Sequence, residues 1–541
     1  MKKILFKIIM LMFLLTATMV LFNVSFANAV KVNEKKIELE KGFSRAMRVD
    51  DISKNTKVTW SSKNKKVATV TKDGRVKGKK KGSTKIYATV AGKKYACTVK
   101  VIDKITDYKR VQKLINAQGY TGYISPDNDK YFKWNAAKTR LLEISSSDET
   151  NPDAFSIGGY VDLSAFKYLT KINFNNSADI TELNINSLKK LTRMEIKSTN
   201  LKYVDFYSVS ALRFLYINSN QLTSIPTTIT KSLQQFYVYG NFAKNVDFST
   251  LKAVVELKVN SSQITKLSLP NSTKLKTLHV RYNSKLSSLT ISKLTNLETL
   301  YCNGNKLTAL SVNNSTKLKY LDCDNNALAK LNVGKLVELE YLSCSKNAIE
   351  SLYIGSIPKI KTLFCDSNKL TSLYLANCPA LTSVSCKSNQ INALNVTNCG
   401  MLSSLVCRAN QLTSLNLSTN RLLRLLDCYN NQITAFDFKN NVDLVSLNCG
   451  NNRLTSLDLT NSKELEILDC GINSIKDLKI EECIALASLL CNRNQIETLD
   501  ITNNTKLKFL NCVTNKITDL DISLTTNLDY ICDNSVNVIT A

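Results

Sequence analysis

A constant spacing of 21 residues between cysteines dominates the C-terminal half of this 541-residue chain. An asparagine follows each of these cysteines three positions later, so two side chains repeat together. The cysteines are Cys302, Cys323, Cys344, Cys365, Cys386, Cys407, Cys428, Cys449, Cys470, Cys491 and Cys512, and the asparagines are Asn305, Asn326, Asn347, Asn368, Asn389, Asn410, Asn431, Asn452, Asn473, Asn494 and Asn515. A fixed period of this length indicates one small unit stacked many times. The chain is therefore predicted to be largely a solenoid, with its function on a surface rather than in a pocket.

The repeating unit fixes which side chains face inward. With the cysteine as position 6, it reads L-x-x-L-x-C-x-x-N-x-L-x-x-L-x-L. Side chains alternate along a strand, so positions 4 and 6 should face the core, and positions 3, 5, 7 and 8 the concave surface. Cys532 marks a last partial copy, and six earlier copies have Phe174, Ile196, Ile217, Val238, Val259 and Val280 at position 6. The pattern predicts about eighteen rungs, at roughly 4.8 Å per rung.

This unit is typical of a leucine-rich repeat. The 21-residue form with cysteine at position 6 resembles the internalin J-like family of bacterial surface proteins over residues 169–532. The resemblance implies adhesion or partner recognition at the cell surface. Proteins of this family carry a wall-sorting tail after the repeats, and no such signal is found before Ala541. This departure from the family pattern weakens the expectation of covalent wall attachment and leaves the mode of anchoring open.

Residues 1–29 are predicted to be a secretory signal peptide. Lys2, Lys3 and Lys7 precede an apolar run, and Ala27-Asn28-Ala29 forms a small-residue cleavage site before Val30. A retained membrane anchor is the alternative, but the apolar run is short for a membrane span. The mature chain is expected to be secreted, without a transmembrane segment.

Residues 30–103 are predicted to be a small β-sandwich, because short alternating segments are split by the turns Asp73-Gly74 and Ala91-Gly92. The segment from Val58 to Val101 resembles the group 2 bacterial immunoglobulin-like domain. Residues 30–103 hold 21 Lys or Arg against 7 Asp or Glu, within a chain of net charge +28. Such a module suits an anionic partner such as a cell-wall polymer. A solvated lysine-rich surface is the alternative interpretation.

Residues 104–158 are predicted to be a partly helical N-terminal cap, and residues 159–541 the leucine-rich repeat domain. Helical spacing of apolar residues runs from Tyr108 to Asn116, and Gly119 ends it. Leu142 and Ile144 are expected to be the first inward pair of the solenoid. The predicted fold is thus mostly β, a solenoid with a parallel concave sheet behind a small Ig-like sandwich and a short cap.

Sixteen cysteines in an exported chain would ordinarily indicate disulfides. Equivalent positions on adjacent rungs lie roughly 4.8 Å apart, whereas the Cβ atoms of a disulfide lie about 3.8 Å apart. The ladder cysteines are therefore predicted to be buried free thiols, and the asparagines to pair with backbone groups where the chain turns. Cys378, Cys399 and Cys483 share another phase and are predicted to pack on the return side.

Aromatic residues concentrate at the outward positions of the earlier rungs, whereas positions 3 and 5 of later rungs are mainly small or polar. Exposed aromatic side chains give large contact area and suit recognition. β-propensity alone would also place aromatic residues on exposed strands. The predicted ligand-binding residues are Phe214, Tyr216, Tyr237, Tyr239, Tyr282, Tyr301, Tyr320, Tyr341 and Phe364.

Catalysis finds no support in the sequence. His279 is the sole histidine, with no acidic or thiol partner readable nearby, and a thiol nucleophile needs an activating base. A row of cysteines does not form the tetrahedron that zinc requires. No catalytic residue, metal or cofactor is predicted.

The predicted function is that of an exported, surface-associated bacterial recognition or adhesion protein, expected to be a monomer. Its concave face would bind a protein or glycan on a host or neighbouring cell, and nucleic acid is not expected as a partner. The alternative is a structural envelope protein held to anionic wall polymers by residues 30–103.

Overall fold

The structure is a computed structural model. It describes residues 31–540 except 53–55, 120–123, 147–154, 176, 178–179, 198–199, 207–208, 219–220, 223–231, 241–243 and 526. The predicted signal peptide, residues 1–29, lies outside the described residues. Within the ranges given, no helix is both long enough and apolar enough to cross a membrane.

The N-terminal unit is a sandwich of a four-stranded and a three-stranded sheet, with a further two-stranded pair. Its strands β1 to β9 are Lys31–Val32, Lys36–Glu40, Ser44–Ala46, Val49–Asp50, Val58–Ser62, Ala68–Val70, Arg75–Gly78, Gly82–Val90 and Lys93–Ile102. Alternate residues such as Ile86, Val99 and Val101 form one buried core, as the sequence pattern predicts. Gly74 is required at its turn, because it has φ +84° and a Cβ there would lie 2.5 Å from the Met47 carbonyl oxygen. The predicted sandwich is confirmed.

A helix, α1 (Asp107–Ala117), follows the sandwich. Thr106 caps its N-terminus by accepting a hydrogen bond from the Lys109 amide, and Val111 and Ile115 are buried. The predicted helix is therefore correct to within one residue at each end. The boundaries of a cap domain at residues 104–158 stay a prediction.

Strand β10 (Phe132–Trp134) pairs antiparallel with β11 (Leu141–Ser145), and β11 begins the parallel sheet of the solenoid. The predicted inward pair, Leu142 and Ile144, is correct for Ile144 and wrong for Leu142. Leu141 and Ile144 are buried, whereas Leu142 is half-buried. The pairing register shifts after Lys133, and this irregularity breaks the strict alternation that the prediction assumed.

The concave sheet has twenty strands in the described part of the chain, counting β10 and β11. We number the rungs 1 to 18 by their position-6 residues, from Phe174 to Cys532. The rung strands are Lys171–Asn175, Arg193–Lys197, Phe214–Asn218, Gln235–Tyr239, Glu256–Asn260, Thr277–His279, Thr299–Tyr301, Tyr320–Asp322, Tyr341–Ser343, Thr362–Phe364, Ser383–Ser385, Ser404–Val406, Leu425–Asp427, Ser446–Asn448, Ile467–Asp469, Ser488–Leu490, Phe509–Asn511 and Asp529–Ile531. Equivalent positions pair directly, as Leu321 does with Leu342, so the predicted eighteen-rung frame is confirmed.

Short parallel strands also line the return side of the solenoid. The first return sheet comprises Gly159–Asp162, Ile180–Asn184 and Tyr203–Asp205. The other return strands pair two by two, as Asn245–Asp247 with Lys266–Ser268, Lys330–Asn332 with Ser351–Tyr353, Ser372–Tyr374 with Ala393–Asn395, Ser456–Asp458 with Asp477–Lys479, and Asp519–Asp521 with Asn537–Ile539.

The cysteine ladder lies in the core between the two sides. All eleven ladder cysteines are at most 2% exposed, and the sixteen cysteines are all free thiols. Burial raises the pKa of the thiols well above its usual value, as at Cys323 and Cys365. Cys378, Cys399 and Cys483 are likewise fully buried on the return side. Both groups pack as small apolar side chains, as predicted.

The asparagine ladder satisfies the backbone at the turn that ends each strand. Asn368 Nδ2 donates to the carbonyl oxygens of Cys344, Cys365 and Asp366 at 3.0, 3.1 and 3.2 Å, and its Oδ1 accepts from the Ile349 amide at 3.0 Å. One side chain therefore joins two adjacent rungs. The ladder begins one rung earlier than predicted, because Asn283 follows Val280 by three residues and donates to the Val259 carbonyl at 2.8 Å.

Position 8, just before the asparagine, has a left-handed backbone in fourteen consecutive rungs from rung 4 to rung 17. These residues are Gly240, Ser261, Tyr282, Gly304, Asn325, Lys346, Ser367, Ser388, Ala409, Asn430, Asn451, Ile472, Arg493 and Thr514. Left-handed geometry disfavours residues other than glycine and asparagine. From rung 6 onward, the hydrogen bonds of the asparagine ladder hold the chain in this turn.

The Ig-like sandwich docks on the first return sheet through its three arginines. Arg75, on β7, forms a two-armed ion pair with Asp205, with distances of 2.8 Å (Nη1 to Oδ2) and 2.9 Å (Nη2 to Oδ1). Arg48 pairs in the same way with Glu182, at 2.9 and 2.6 Å. Arg45, on β3, lies 3.4 Å from the centre of the Tyr160 ring and pairs with Glu34. Arg45, Arg48 and Arg75 are the only arginines among residues 30–103.

Two weaker contacts extend this interface. The Asn186 side-chain amide donates to the Ser44 carbonyl at 3.3 Å, and Lys167 Nζ lies 4.6 Å from the centre of the Phe43 ring. Burial raises the pKa of Tyr160 well above its usual value. The sandwich is therefore held against the back of the solenoid, on the side away from the concave strands.

Candidate binding face of the concave sheet

The concave strands present alternate side chains to solvent because positions 4 and 6 are buried in the core. All nine predicted ligand-binding residues lie on this face or at its turns. Tyr282 and Tyr320 are 57% and 41% exposed, and the other seven are half-buried. The sheet brings some of them together and leaves others apart.

Four of the aromatic side chains form one contiguous cluster on rungs 3 and 4. Tyr237 meets Phe214 and Tyr216 edge-to-face, with ring centres 5.3 and 6.0 Å apart. Tyr216 also lies 5.5 Å from Tyr239. Such geometry stabilises aromatic pairs beyond the area they bury. The 21-residue step explains the contact, because Tyr216 and Tyr237 pair at position 5 of adjacent rungs.

Cationic side chains lie over these rings. The Arg193 guanidinium is 3.7 Å from the Phe214 ring centre, Lys197 Nζ is 5.1 Å from Tyr216, and Lys258 Nζ is 4.4 Å from Tyr237. Two rungs further along, Arg281 lies 4.0 Å from the Tyr301 ring centre. Two of these cations are also ion-paired on the same face, Arg193 with Glu195 at 2.8 Å and Lys258 with Glu256 at 2.7 Å.

His279 belongs with Tyr301, since the two rings meet edge-to-face at 4.7 Å, and it pairs with Lys258 at position 5 of the adjacent strand. We call the whole set the aromatic–cation cluster. It comprises Arg193, Lys197, Phe214, Tyr216, Tyr237, Tyr239, Lys258, His279, Arg281 and Tyr301.

Burial and neighbouring charge alter the titration of the cluster. Burial, with Lys258 and Arg281, lowers the pKa of His279 to about 4, so the ring is neutral at physiological pH. Burial also raises the pKa of Tyr239 to about 12. Burial opposes ionisation of Glu256, but hydrogen bonds from Lys258, Tyr237 and Gln235 outweigh it and lower the pKa of this carboxyl. The cluster therefore carries fixed charges and a neutral imidazole.

Carboxylates appear on the concave face beyond rung 7, beside cations such as Lys346 and Lys387. Asp322, Asp324 and Asp366 occupy outward positions on rungs 8 and 10. Asp324 Oδ1 accepts from the Ser343 hydroxyl at 2.7 Å and the Ser345 amide at 2.6 Å, and burial raises the pKa of Asp324. Asp324 and Asp366 border an open hollow of about 480 Å³ together with Lys346 and Lys387. Tyr341 and Phe364 also line it, with their ring centres 6.0 Å apart.

Tyr282 and Tyr320 remain outside both groups, and within the described residues neither makes a ring-to-ring contact. Tyr282 instead packs over the backbone of Gly304, where a Cβ would lie 2.5 Å from Tyr282 Cδ1. They share the concave face without joining either aromatic contact network.

The nine predicted ligand-binding residues are all aromatic, and this prediction missed two other kinds of residue on the concave face. The cations of the cluster were not singled out, although positions 3, 5 and 7 of the repeat frame place Arg193, Lys258 and Arg281 outward. Later rungs also expose apolar residues among the small and polar ones, with Leu425 37% and Ile467 48% exposed at position 3. The positions of the repeat unit predict that both the cations and these apolar side chains face outward.

The ladder thiols have no access to this face, since all eleven are buried. Across the described ranges, no group of three or more His, Cys, Asp or Glu side chains could hold a metal ion.

Comparison with known proteins bears on both parts of the chain. Residues 26–101 match the family model of the bacterial Ig-like domain (group 2). No curated protein sequence is significantly similar to the chain.

Solved structures with a similar fold include the functional domain of InlJ from Listeria monocytogenes, described as including a cysteine ladder, at 23% identity over 72% of each chain and a TM-score of 0.45. The complex of the Arabidopsis receptor kinase HAESA with the peptide hormone IDA and the co-receptor SERK1 matches at 16% identity over 78% of each chain, with a TM-score of 0.55. The Toll–Spatzle complex of Drosophila matches at 16% identity over 66% of this chain and 52% of that chain, with a TM-score of 0.50. The predicted leucine-rich repeat fold and the predicted group 2 bacterial Ig-like domain are confirmed.

Proposed function

We propose that this protein is exported to the bacterial surface, where it recognises a partner protein through its concave face and acts by binding rather than catalysis. The observation that carries the proposal is the aromatic–cation cluster. Its rings and cations span six rungs, from Arg193 to Tyr301, in two contact networks that meet where Lys258 and His279 pair on adjacent strands. Aromatic and arginine side chains are the residues that most often dominate protein interfaces.

A polypeptide suits the charge pattern better than a neutral glycan does. Rungs 2 to 6 carry Arg193, Lys258 and Arg281, the first two ion-paired with Glu195 and Glu256, and the carboxylates of Asp322, Asp324 and Asp366 follow on rungs 8 and 10. A partner segment with acidic groups at one end and basic groups at the other would complement both zones. Neutral sugars would stack on the tyrosines but leave the charged groups unmatched.

The fold is used for ligand binding elsewhere. HAESA was solved with a peptide hormone, and RGFR1, a plant peptide hormone receptor, with RGF2. These proteins support a binding role for the concave surface here. They do not identify the ligand, which must match the residues of this chain.

Cell binding tests the proposal. Binding of the purified mature protein to host or neighbouring bacterial cells is measured for the wild type and for Tyr237→Ala combined with Tyr301→Ala. Removing two cluster rings should weaken binding at least about tenfold, because interface aromatic residues typically contribute 1 to 2 kcal/mol or more each. The matched control is Tyr353→Ala combined with Tyr374→Ala, which removes two rings 60% and 63% exposed on the return side.

Pretreatment of the cells distinguishes the partner classes. Protease treatment should abolish binding, and periodate oxidation of glycans should leave it intact. The reverse pattern would replace the protein partner with a glycan, and equal losses in the two tyrosine pairs would contradict the concave site. Export is tested separately by N-terminal sequencing of the secreted protein, which should begin at Val30.

The alternative function, a structural envelope protein held by its Ig-like domain, rests on a different surface. Deleting residues 30–103 is a poor test, because it would expose the ion-paired face of the first return sheet. Point substitutions on the outer part of the sandwich separate the two functions cleanly.

A further inference from the structure

Lysines cluster at one end of the Ig-like sandwich. Two loops, between β5 and β6 and between β7 and β8, together with the start of β8, carry this group. We call it the lysine end, and it comprises Lys63, Lys65, Lys66, Lys79, Lys80, Lys81 and Lys85. All seven side chains are exposed. Of these seven lysines, only Lys81 forms an ion pair within the described part of the chain, with Asp103 at 3.0 Å.

Hydrogen bonds join the two loops to each other and to the start of β8. The amides of Lys79 and Lys80 both donate to the Val67 carbonyl, at 2.7 and 3.2 Å, and the Lys63 amide donates to the Lys85 carbonyl at 2.9 Å. The Asn64 amide donates to the Thr84 hydroxyl at 3.0 Å. The backbone positions of the lysines are therefore held together before any ligand arrives, which reduces the entropy lost on binding.

Arginines and lysines have separate positions in this domain. The three arginines face the solenoid in two-armed ion pairs and a ring contact. In the described residues, no ion pair or hydrogen bond joins the lysine end to the solenoid. The lysines at this end are therefore not neutralised by contacts with the solenoid. Seven lysines with one neighbouring carboxylate create a strong positive potential there.

From this arrangement we infer that the lysine end binds a flexible polymer of closely spaced phosphate groups. Ammonium groups recognise phosphate as point charges and need no planar geometry. Single-stranded nucleic acids are instead held by aromatic stacking combined with arginine, and the two loops, residues 63–67 and 79–81, contain neither an aromatic residue nor an arginine. This inference is independent of the concave-face proposal, because the sandwich docks on the return side and leaves the concave strands open.

Titration of the full mature chain with linear inorganic polyphosphate tests the site. The test variant is Lys65→Gln with Lys79→Gln and Lys80→Gln. The control is Lys57→Gln with Lys93→Gln and Lys94→Gln, which removes equal charge at the opposite end of the sandwich. β8 spans nine residues between the two ends, or about 30 Å.

The test variant should bind polyphosphate at least about tenfold more weakly, and its affinity should fall less steeply with salt, by roughly 2 to 3 in the log–log slope. The control should resemble the wild type in both respects, and all three proteins should share one melting temperature. Equal losses in both triples would show that net charge alone binds the polymer and would overturn the site. Equal affinity for poly-L-glutamate would overturn the preference for phosphate, and tighter binding of a single-stranded oligonucleotide would replace the ligand class.

Discussion

Arg75 and Asp205, 130 residues apart in sequence, form the most buried ion pair between the Ig-like sandwich and the solenoid. Their side chains are 11% and 5% exposed, and two hydrogen bonds of 2.8 and 2.9 Å join them. Removing one partner of a buried ion pair is destabilising, because the charge that remains has lost its strongest compensating interaction. The pair thus ties the two parts of the chain together energetically.

Replacing Arg75 by Ala should lower the free energy of unfolding by about 3 to 5 kcal/mol, since Asp205 would remain buried without its cation. Urea unfolding followed by tryptophan fluorescence measures the change, because Trp60 lies in the sandwich and Trp134 follows α1 beside the solenoid. Lys72→Ala is the control, at an exposed position three residues earlier, and should change stability by less than about 0.5 kcal/mol. Arg75→Met combined with Asp205→Leu should recover most of the loss. An Arg75→Ala protein as stable as the Lys72→Ala protein would mean that the docking is not maintained in solution.

Asn389→Ala should loosen the stack without directly affecting partner binding. Asn389 Nδ2 donates to the carbonyls of Cys365 and Cys386 at 3.0 Å each, and its Oδ1 accepts from the Leu370 amide at 3.1 Å. Alanine leaves these backbone groups unpaired, at a cost of roughly 2 to 4 kcal/mol. The melting temperature of the Asn389→Ala protein is compared with that of the Asn392→Ala protein, in which an exposed amide of the same repeat is removed. If folded Asn389→Ala protein bound cells more weakly than the Asn392→Ala protein, the asparagine would contribute to the ligand site as well.

The repeat frame was predictable because the information is local and periodic. Leu321 and Leu342 pair since each sits two positions before a ladder cysteine, and a single spacing fixes this for every rung. The sequence also placed Tyr216 and Tyr237 on the outward face of adjacent strands. Their edge-to-face contact depends on rotamers and ring tilt, which the period does not determine.

The docking of the sandwich could not be predicted in the same way. Arg48 and Glu182 lie 134 residues apart and belong to no common period, so nothing in either segment indicates the other. Leu142 illustrates a different limit. Alternation predicts an inward side chain there, but the register shift between Lys133 and Trp134 moves the buried position to Leu141.

Ile472 should be a strained residue, because a β-branched side chain occupies a left-handed backbone position with φ 57°. The same position holds Asn430 and Asn451 in the two preceding rungs. Ile472→Asn and Ile467→Asn make the same chemical change in one rung, at sites 37% and 48% exposed. Relief of strain should leave the Ile472→Asn protein about 1 kcal/mol more stable than the Ile467→Asn protein in chemical denaturation. Equal stability, or the opposite order, would show that the turn imposes no strain on isoleucine.

His279 gives the concave face a built-in reporter, because the chain has a single histidine whose ring resonance in NMR needs no assignment. Burial first, and then Lys258 and Arg281, lower the pKa of its imidazole to about 4. The folded state therefore resists protonation, and the stability that the neutral ring contributes should be lost as pH falls from about 6.5 to about 4. The loss has an upper bound of about 3 kcal/mol, which solvent screening at this half-buried site reduces. His279→Gln should remove this part of the pH dependence, and Lys258→Met should raise the midpoint while leaving it below 6.5, because burial is the larger cause. A wild-type midpoint near 6.5 would contradict the packing of His279 within the aromatic–cation cluster.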